Sequence, residues 1–208
     1  MKIGFIGAGT VAQTISKHAL AHGHQVLLSN SRGPDTLASV VDQLGPGAKA
    51  GTPQQAADQD IVVLASAWAS VEEALGSVPN WKGKFLVDAT NRVAGLKPFS
   101  LGDLSGPTSS EIVAGYAPGA TVVKAFNSVP MVWISDFSSS KPRTALFVSG
   151  DDDEAKKKVH DLIEEMGFAC IDLGSLAVGG RIQQLGGPLA GVRLNFVERF
   201  VLPEKLLR

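Results

Sequence analysis

The chain begins with Lys2-Ile-Gly-Phe-Ile6, passes directly into Gly7-Ala-Gly-Thr-Val-Ala12 and continues as a helical pattern. A strand that turns on glycines into a helix presents unpaired backbone N–H groups and a partial positive charge to an anion. Gly7 allows the tight turn, Gly9 leaves no side chain in the path of a phosphate, and Ala12 lets the helix lie close to the strand. Ile15, Ala19 and Leu20 form the buried stripe of that helix, and Gly23-His24 closes it before a second apolar run, Val26-Leu-Leu28. This order of strand, glycine turn, helix and strand is a grip for the pyrophosphate of a dinucleotide.

The end of the second strand indicates which dinucleotide. NAD sites of this type place Asp or Glu about 20 residues past the glycines, where it holds the ribose hydroxyls. This chain has Ser29-Asn-Ser-Arg32 there, without an acid. Arg32 offers a fork of donors to a 2′-phosphate, to which Ser31 and Asn30 add hydrogen bonds, whereas a carboxylate would repel it. The expected cofactor is NADP(H).

Ligands of open parallel sheets sit at the carboxyl ends of the strands. Three later apolar runs end in Ala65-Ser-Ala-Trp68, Ala89-Thr-Asn91 and Phe126-Asn-Ser128. Small and amide-bearing residues suit a nicotinamide ribose and carboxamide, although Asn91 and Asn127 serve equally as turn residues bonded to their own backbone. A general acid or base is missing from these ends. His18, His22 and His24 flank the first helix, His160 lies on a late helix, and Tyr116 is the sole tyrosine. Lys124 is the nearest candidate, but strand alternation turns it from the face of Ala125, and a strand-edge charge is expected. No catalytic side chain and no metal site are assigned. His18 and His22 are expected at a solvated helix end, and Asp151-Asp-Asp-Glu154 precedes a helix whose dipole it complements.

The elements that must position these residues alternate between strand and helix. The alternation predicts an α/β, Rossmann-type, doubly wound and mostly parallel sheet covered on both faces. Helices are expected over 35–44, 53–58, 70–75 and 109–113, with strands over 61–64, 84–88 and 121–125. Residues 1–130 form the expected NADP-binding domain. Residues 131–208 are expected as a smaller C-terminal α+β lobe that completes the site. It has a loop at 138–142, strands at 144–148 and 169–173, a helix at 152–166, and a tail of helical stretches broken at Gly186-Gly-Pro188 and Pro203. Residues 92–107, rich in Gly and Pro, read as a long irregular loop, either a lid or a plain surface loop.

With 44% hydrophobic residues among 208, the chain can bury a full core. A net charge of −1 and no basic block argue against nucleic acid as a partner. No apolar stretch reaches membrane-spanning length and the first residues already form a strand, so neither a membrane partner nor a signal peptide is expected and the protein is placed in the cytoplasm. Cys170, the only cysteine, excludes an intrachain disulfide and reads as part of a buried strand. The late helix and the apolar tail with Phe196, Val197, Phe200, Val201 and Leu202 suggest a homodimer interface, the alternative being that they pack on the first domain.

Together these motifs resemble those of the coenzyme F420-dependent NADP reductases over nearly the whole chain. The likeness rests on residues 7–12, Ser31-Arg32, Leu64-Ala-Ser-Ala-Trp68, Ser109-Ser-Glu-Ile-Val113, the run Val148-Ser-Gly-Asp-Asp-Asp-Glu-Ala-Lys-Lys157, Leu173-Gly-Ser-Leu176 and Gly187-Pro-Leu189. It implies hydride transfer between NADP(H) and a second ring cofactor laid face to face with the nicotinamide, either coenzyme F420 or a flavin (FMN or FAD). It further implies that Gly7, Ala8, Gly9, Thr10, Val11 and Ala12 hold the pyrophosphate, and Ser31 and Arg32 the 2′-phosphate. Ala65, Ser66, Trp68, Asn91, Ala125 and Asn127 would line the nicotinamide and its partner ring. Two alternatives stay open: a non-catalytic NADP(H)-sensing module, and a small-metabolite reductase that uses Lys124.

Overall fold

The computed structural model describes residues 1–135 and 142–197. Its first unit is β1 (Lys2–Ile6), α1 (Thr10–Ala21) and β2 (Gln25–Ser29). The chain continues through α2 (Ala38–Leu44), β3 (Ala48–Ala50), α3 (Pro53–Ala57), β4 (Ile61–Leu64), α4 (Val71–Gly76) and β5 (Phe85–Asp88). A hairpin, β6 (Val93–Leu96) and β7 (Phe99–Leu101), precedes α5 (Ser109–Tyr116) and β8 (Thr121–Ala125). Next come β9 (Arg143–Gly150), α6 (Asp153–Glu165), β10 (Ala169–Asp172), α7 (Gly179–Gln183) and β11 (Asn195–Phe196).

The main sheet runs β10-β9-β8-β5-β4-β1-β2-β3, with β11 paired to the start of β9. From β3 to β8 all pairings are parallel, which is the doubly wound α/β arrangement expected. Strand order reverses between β1 and β4, so the crevice at that switch point opens above Ile6 and Leu64. β9 turns antiparallel to β8, and β10 follows β9 in parallel. The sequence-based boundary at 130 thus falls between two neighbouring strands of one sheet. One apolar cluster crosses it, joining Ile3, Phe5 and Val87 to Leu146, Val159 and Leu162.

Local chemistry explains the element ends. Thr52 and Thr108 each start a helix with a reciprocal capping box, to Gln55 and Glu111. Asp152 accepts from Ala155 N at 2.8 Å, and Asp151 accepts from Leu176 N at 3.0 Å, so the acidic run caps α6 and ties down the following loop. The expected helix at 35–44 forms as a 3-10 turn, Pro34–Leu37, followed by α2. Two expectations are corrected. Residues 92–107 hold the β6–β7 hairpin rather than a loop without regular structure, and β3 and β11 were not legible as strands. The loop expected at 138–142 lies largely outside the described residues, as do Phe200, Val201 and Leu202.

Candidate functional site

At the end of β1 the chain turns on Gly7, whose φ is 109°. A Cβ there would stand 2.4 Å from the carbonyl oxygen of Ala65, so only glycine lets β1 and the end of β4 approach this closely. Gly7 N donates to Ser29 O at 3.0 Å and Gln13 Nε2 to Ala8 O at 2.9 Å, which fixes the turn against the end of β2. Gly9 then caps α1 in an extended conformation, with no side-chain capping bond and no acid in the first helical turn. A Cβ on Gly9 would meet nothing within 4 Å. The first-turn N–H groups of Thr10, Val11 and Ala12 therefore have no side-chain cap, and no acid offsets their partial positive charge. Ala12 is buried against the sheet, as the close helix–strand packing requires.

Two grooves meet at this turn. One, of about 460 Å³, runs over Gly7, Asn30, Ser31, Gly33, Thr52 and Ser66. The other, of about 370 Å³, is lined by Val11, Ala65, Trp68, Ala89, Thr90 and Asn91, with the β6 residues Val93, Ala94 and Gly95 as its outer wall. Ser66 and Ala67 border both. Ser66 Oγ is buried and has no hydrogen-bond partner among the described residues, which leaves an unused donor at the junction.

In the first groove Asn30 is a builder. Its Oδ1 accepts from Arg32 N at 3.0 Å and its Nδ2 donates to Thr36 Oγ1 at 2.9 Å. This Asx turn displays Ser31 and Arg32, both exposed. In the second groove Trp68 stands half-buried on a 3-10 turn, Trp68–Ser70, and packs against the apolar cluster of α4 and α5.

Two of the residues expected at the nicotinamide line neither groove. Ala125 lies wholly in the core and lines neither groove, because its side chain faces α6 across the sheet. Asn127 is buried behind the wall. Its Nδ2 donates to Asn91 Oδ1 at 3.1 Å and to Gln183 O at 2.9 Å, and its Oδ1 accepts from Gln183 Nε2 at 3.0 Å. The backbone reaches this position through Phe126, a buried residue with a φ of 61°, where a side chain is strained. Asn91 itself lines the groove and is clamped: its Nδ2 donates to Asn127 O at 2.9 Å, and its Oδ1 also accepts from Leu185 N at 3.2 Å.

Lys124 is neither a strand-edge charge nor a groove residue. It lies on β8, between β5 and β9, at 0% exposure. Its Nζ donates to Asp88 Oδ2 at 3.1 Å, Ser109 Oγ at 3.0 Å and Thr90 O at 3.2 Å, which uses all three ammonium protons. Asp88 and Gln183 were missed in the sequence. The signal was present: Phe85-Leu-Val-Asp88 and Val122-Val-Lys-Ala125 are apolar runs each carrying one charge, and Asp88 and Lys124 are register partners in adjacent strands. Central parallel strands are buried on both faces, so such charges have to pair.

The histidines are structural. His18 is buried, contrary to the solvated helix end expected. Its Nε2 bonds to Ile134 O and its ring meets Phe168 edge-on at 4.9 Å, while His22 Nδ1 bonds to His18 O. Burial lowers the pKa of His18. No group of three metal-ligating side chains occurs among the described residues. No helix among them is long and apolar enough to cross a membrane.

Comparisons with known proteins agree with this architecture. The family model described as NADP oxidoreductase, coenzyme F420-dependent, matches residues 2–92. A hypothetical protein of Sinorhizobium meliloti shares 37% identity and a TM-score of 0.87, covering 94% of this chain and 96% of its own. A solved structure from Arthrobacter sp. FB24, described as a candidate F420-dependent NADP reductase, shares 30% identity with a TM-score of 0.72, covering 85% and 86% of the two chains. Metalloreductase STEAP3 of Rattus norvegicus is 27% identical over 186 residues, which are 88% of this chain and 36% of that protein. The chain thus spans about a third of the curated relative's length.

Proposed function

Because the chain belongs to the coenzyme F420-dependent NADP oxidoreductase family, we propose that it transfers a hydride between NADP(H) and a planar ring cofactor of the deazaflavin or flavin class. One observation carries this reading: the groove next to the glycine turn is walled by Val11, Ala65, Trp68, Ala89, Thr90, Asn91 and the β6 strand, with no titratable side chain among the described residues that line it. A reaction that moves a proton onto a carbonyl or imine needs a positioned acid or base. Hydride exchange between two rings needs distance and alignment, since the cofactors carry the chemistry.

The residues present fit NADP(H). The open space at Gly9, the uncapped start of α1 and the unpartnered Ser66 Oγ offer donors where the pyrophosphate would lie. Ser31 and Arg32, held out by the Asx turn of Asn30, would hold the 2′-phosphate. When bound, the nicotinamide supplies a hydride at one ring face. The protein's part would be to fix that face, with Asn91 and Thr90 among the polar lining of the groove and Trp68 and Val11 among its apolar lining. Lys124 takes no part as an acid, because its three protons are committed inside the sheet.

The test is oxidation of NADPH and of NADH with F420, FMN and FAD as acceptors on one sample. Oxidation of NADPH in preference to NADH by one of these rings is the expected result. Tight NADPH binding with no turnover on any of the three would overturn the hydride-transfer reading and favour a sensor of NADP(H).

A further inference from the structure

Asp88 and Lys124 are the charges that this chemistry leaves unused, and the side chains of both are fully shielded from solvent. Removing two charges from water is costly, and apolar replacements of similar volume are often as stable or more so. Stability alone therefore gives no reason for the pair.

Its hydrogen bonds converge on one residue. Asp88 Oδ1 accepts from Thr90 N at 2.8 Å and from Thr90 Oγ1 at 2.6 Å, while Lys124 Nζ donates to Thr90 O. Every polar atom of Thr90 is thus fixed, immediately before Asn91. Two further bonds anchor the pair to α5, from Ser110 Oγ to Asp88 Oδ2 at 2.5 Å and from Lys124 Nζ to Ser109 Oγ. On the other side, Lys124 O accepts from Gln183 Nε2 at 3.2 Å. That same amide holds Asn127, and Asn127 holds Asn91. Ser149 Oγ completes the network by donating to Gln183 Oε1 at 2.7 Å. The side chains of the pair thus reach the groove wall at Thr90, the backbone oxygen of Lys124 supports the branch to Asn91, and only Thr90 and Asn91 of these residues line the groove.

We propose that the buried Asp88–Lys124 pair is a positioning device for the nicotinamide half of the site, fixing Thr90 directly and with it the backbone that leads into Asn91, whose side chain Asn127 and Gln183 hold against the Lys124 main chain. The inference rests on the NADP(H) reading above and deepens it. Loss of the pair is expected to loosen the nicotinamide end of the cofactor while leaving the phosphate turn and the Ser31–Arg32 corner, on the far side of β1, unaltered.

The experiment compares two ligands. The nucleotide 2′,5′-ADP fills the adenosine and 2′-phosphate half alone, whereas NADPH fills both halves. Dissociation constants for each, with the emission of bound NADPH, are measured for the wild type, Lys124→Met, Asn127→Ala and the double variant Asp88→Leu/Lys124→Met. The double variant leaves no lone buried charge, so it keeps the test open if Lys124→Met fails to fold. The expected result is unchanged 2′,5′-ADP affinity, NADPH affinity weakened about tenfold (the loss of one or two hydrogen bonds), and altered emission of the bound nicotinamide. Unchanged NADPH affinity and emission would overturn the proposal, and so would equal weakening of both ligands, which a merely structural role would give. A wild type that binds 2′,5′-ADP and NADPH not at all would sink the cofactor reading itself and the inference with it.

Discussion

Gly9→Ala separates the fold from the cofactor site. The backbone at Gly9, with φ −80° and ψ −167°, is open to any residue, and the added Cβ meets nothing within 4 Å. Lower chain entropy in the unfolded state favours the variant by about 0.4–1 kcal/mol. Alanine is the poorer helix cap by a similar amount. Net stability should thus stay within about 1 kcal/mol, a shift of roughly 2–4 °C in Tm for a chain this long. Binding should behave differently, because in the proposed site the methyl group would stand where a phosphate oxygen approaches the N–H groups of the first turn of α1. Each hydrogen bond to a charged oxygen contributes about 1.5–3 kcal/mol, so losing one weakens NADPH about 10- to 150-fold. Gly7→Ala is the contrast: its Cβ falls 2.4 Å from Ala65 O at a φ of 109°, so Tm and affinity should fall together. Calorimetric titration with NADPH and scanning calorimetry of the free protein read the two effects separately. Affinity of Gly9→Ala within twofold of wild type would refute the placement of the pyrophosphate over this turn.

Arg32→Ala removes an exposed guanidinium from the β2 corner, so Tm should hold while NADPH affinity drops about 10- to 100-fold and NADH affinity stays unchanged, as measured by titration. Equal loss for both nucleotides would contradict the 2′-phosphate role. Burial, ahead of other causes, holds the pKa of His18 and His24 below the usual 6.5, so the unfolded chain binds more protons under acid conditions. Their contribution is complete above that value and is lost as pH falls through it, so Tm should decline between about pH 7 and pH 5, with a shallower decline in His18→Gln. A Tm that stays level over this range would exclude the effect. Burial and then the charge of Glu164 push the Cys170 thiol up to about 12, so iodoacetamide should leave the native protein unmodified at neutral pH and alkylate it once unfolded.

Sequence patterns revealed elements whose signals are local. The β1–α1–β2 unit, the strand at 61–64 and the strand at 121–125 follow from apolar runs bounded by glycine and acid residues. The phosphate turn and the exposed Ser31–Arg32 corner belong to that same local unit. What escaped the sequence depends on partners far along the chain. Lys124 and Asp88 are 36 residues apart and meet only because β5 and β8 are neighbours. Asn127 reads as a strand-end ligand until Gln183, 56 residues on, is seen to take its side chain. The β6–β7 hairpin hid behind glycine and proline, which mark turns without saying what pairs around them. Strand β11 has two residues and exists through its pairing with β9.

Hydride transfer without a protein acid or base is tested most directly by anaerobic NADPH oxidation with the accepting ring, comparing NADPH with its C4-deuterated form across neutral pH. Slower oxidation of the deuterated cofactor and a rate independent of pH are the expected results, with deuterium retained on the acceptor where that acceptor is the deazaflavin, which takes the hydride on carbon. A rate governed by a protein group titrating near neutrality, or solvent hydrogen in place of deuterium on the reduced deazaflavin, would contradict direct transfer.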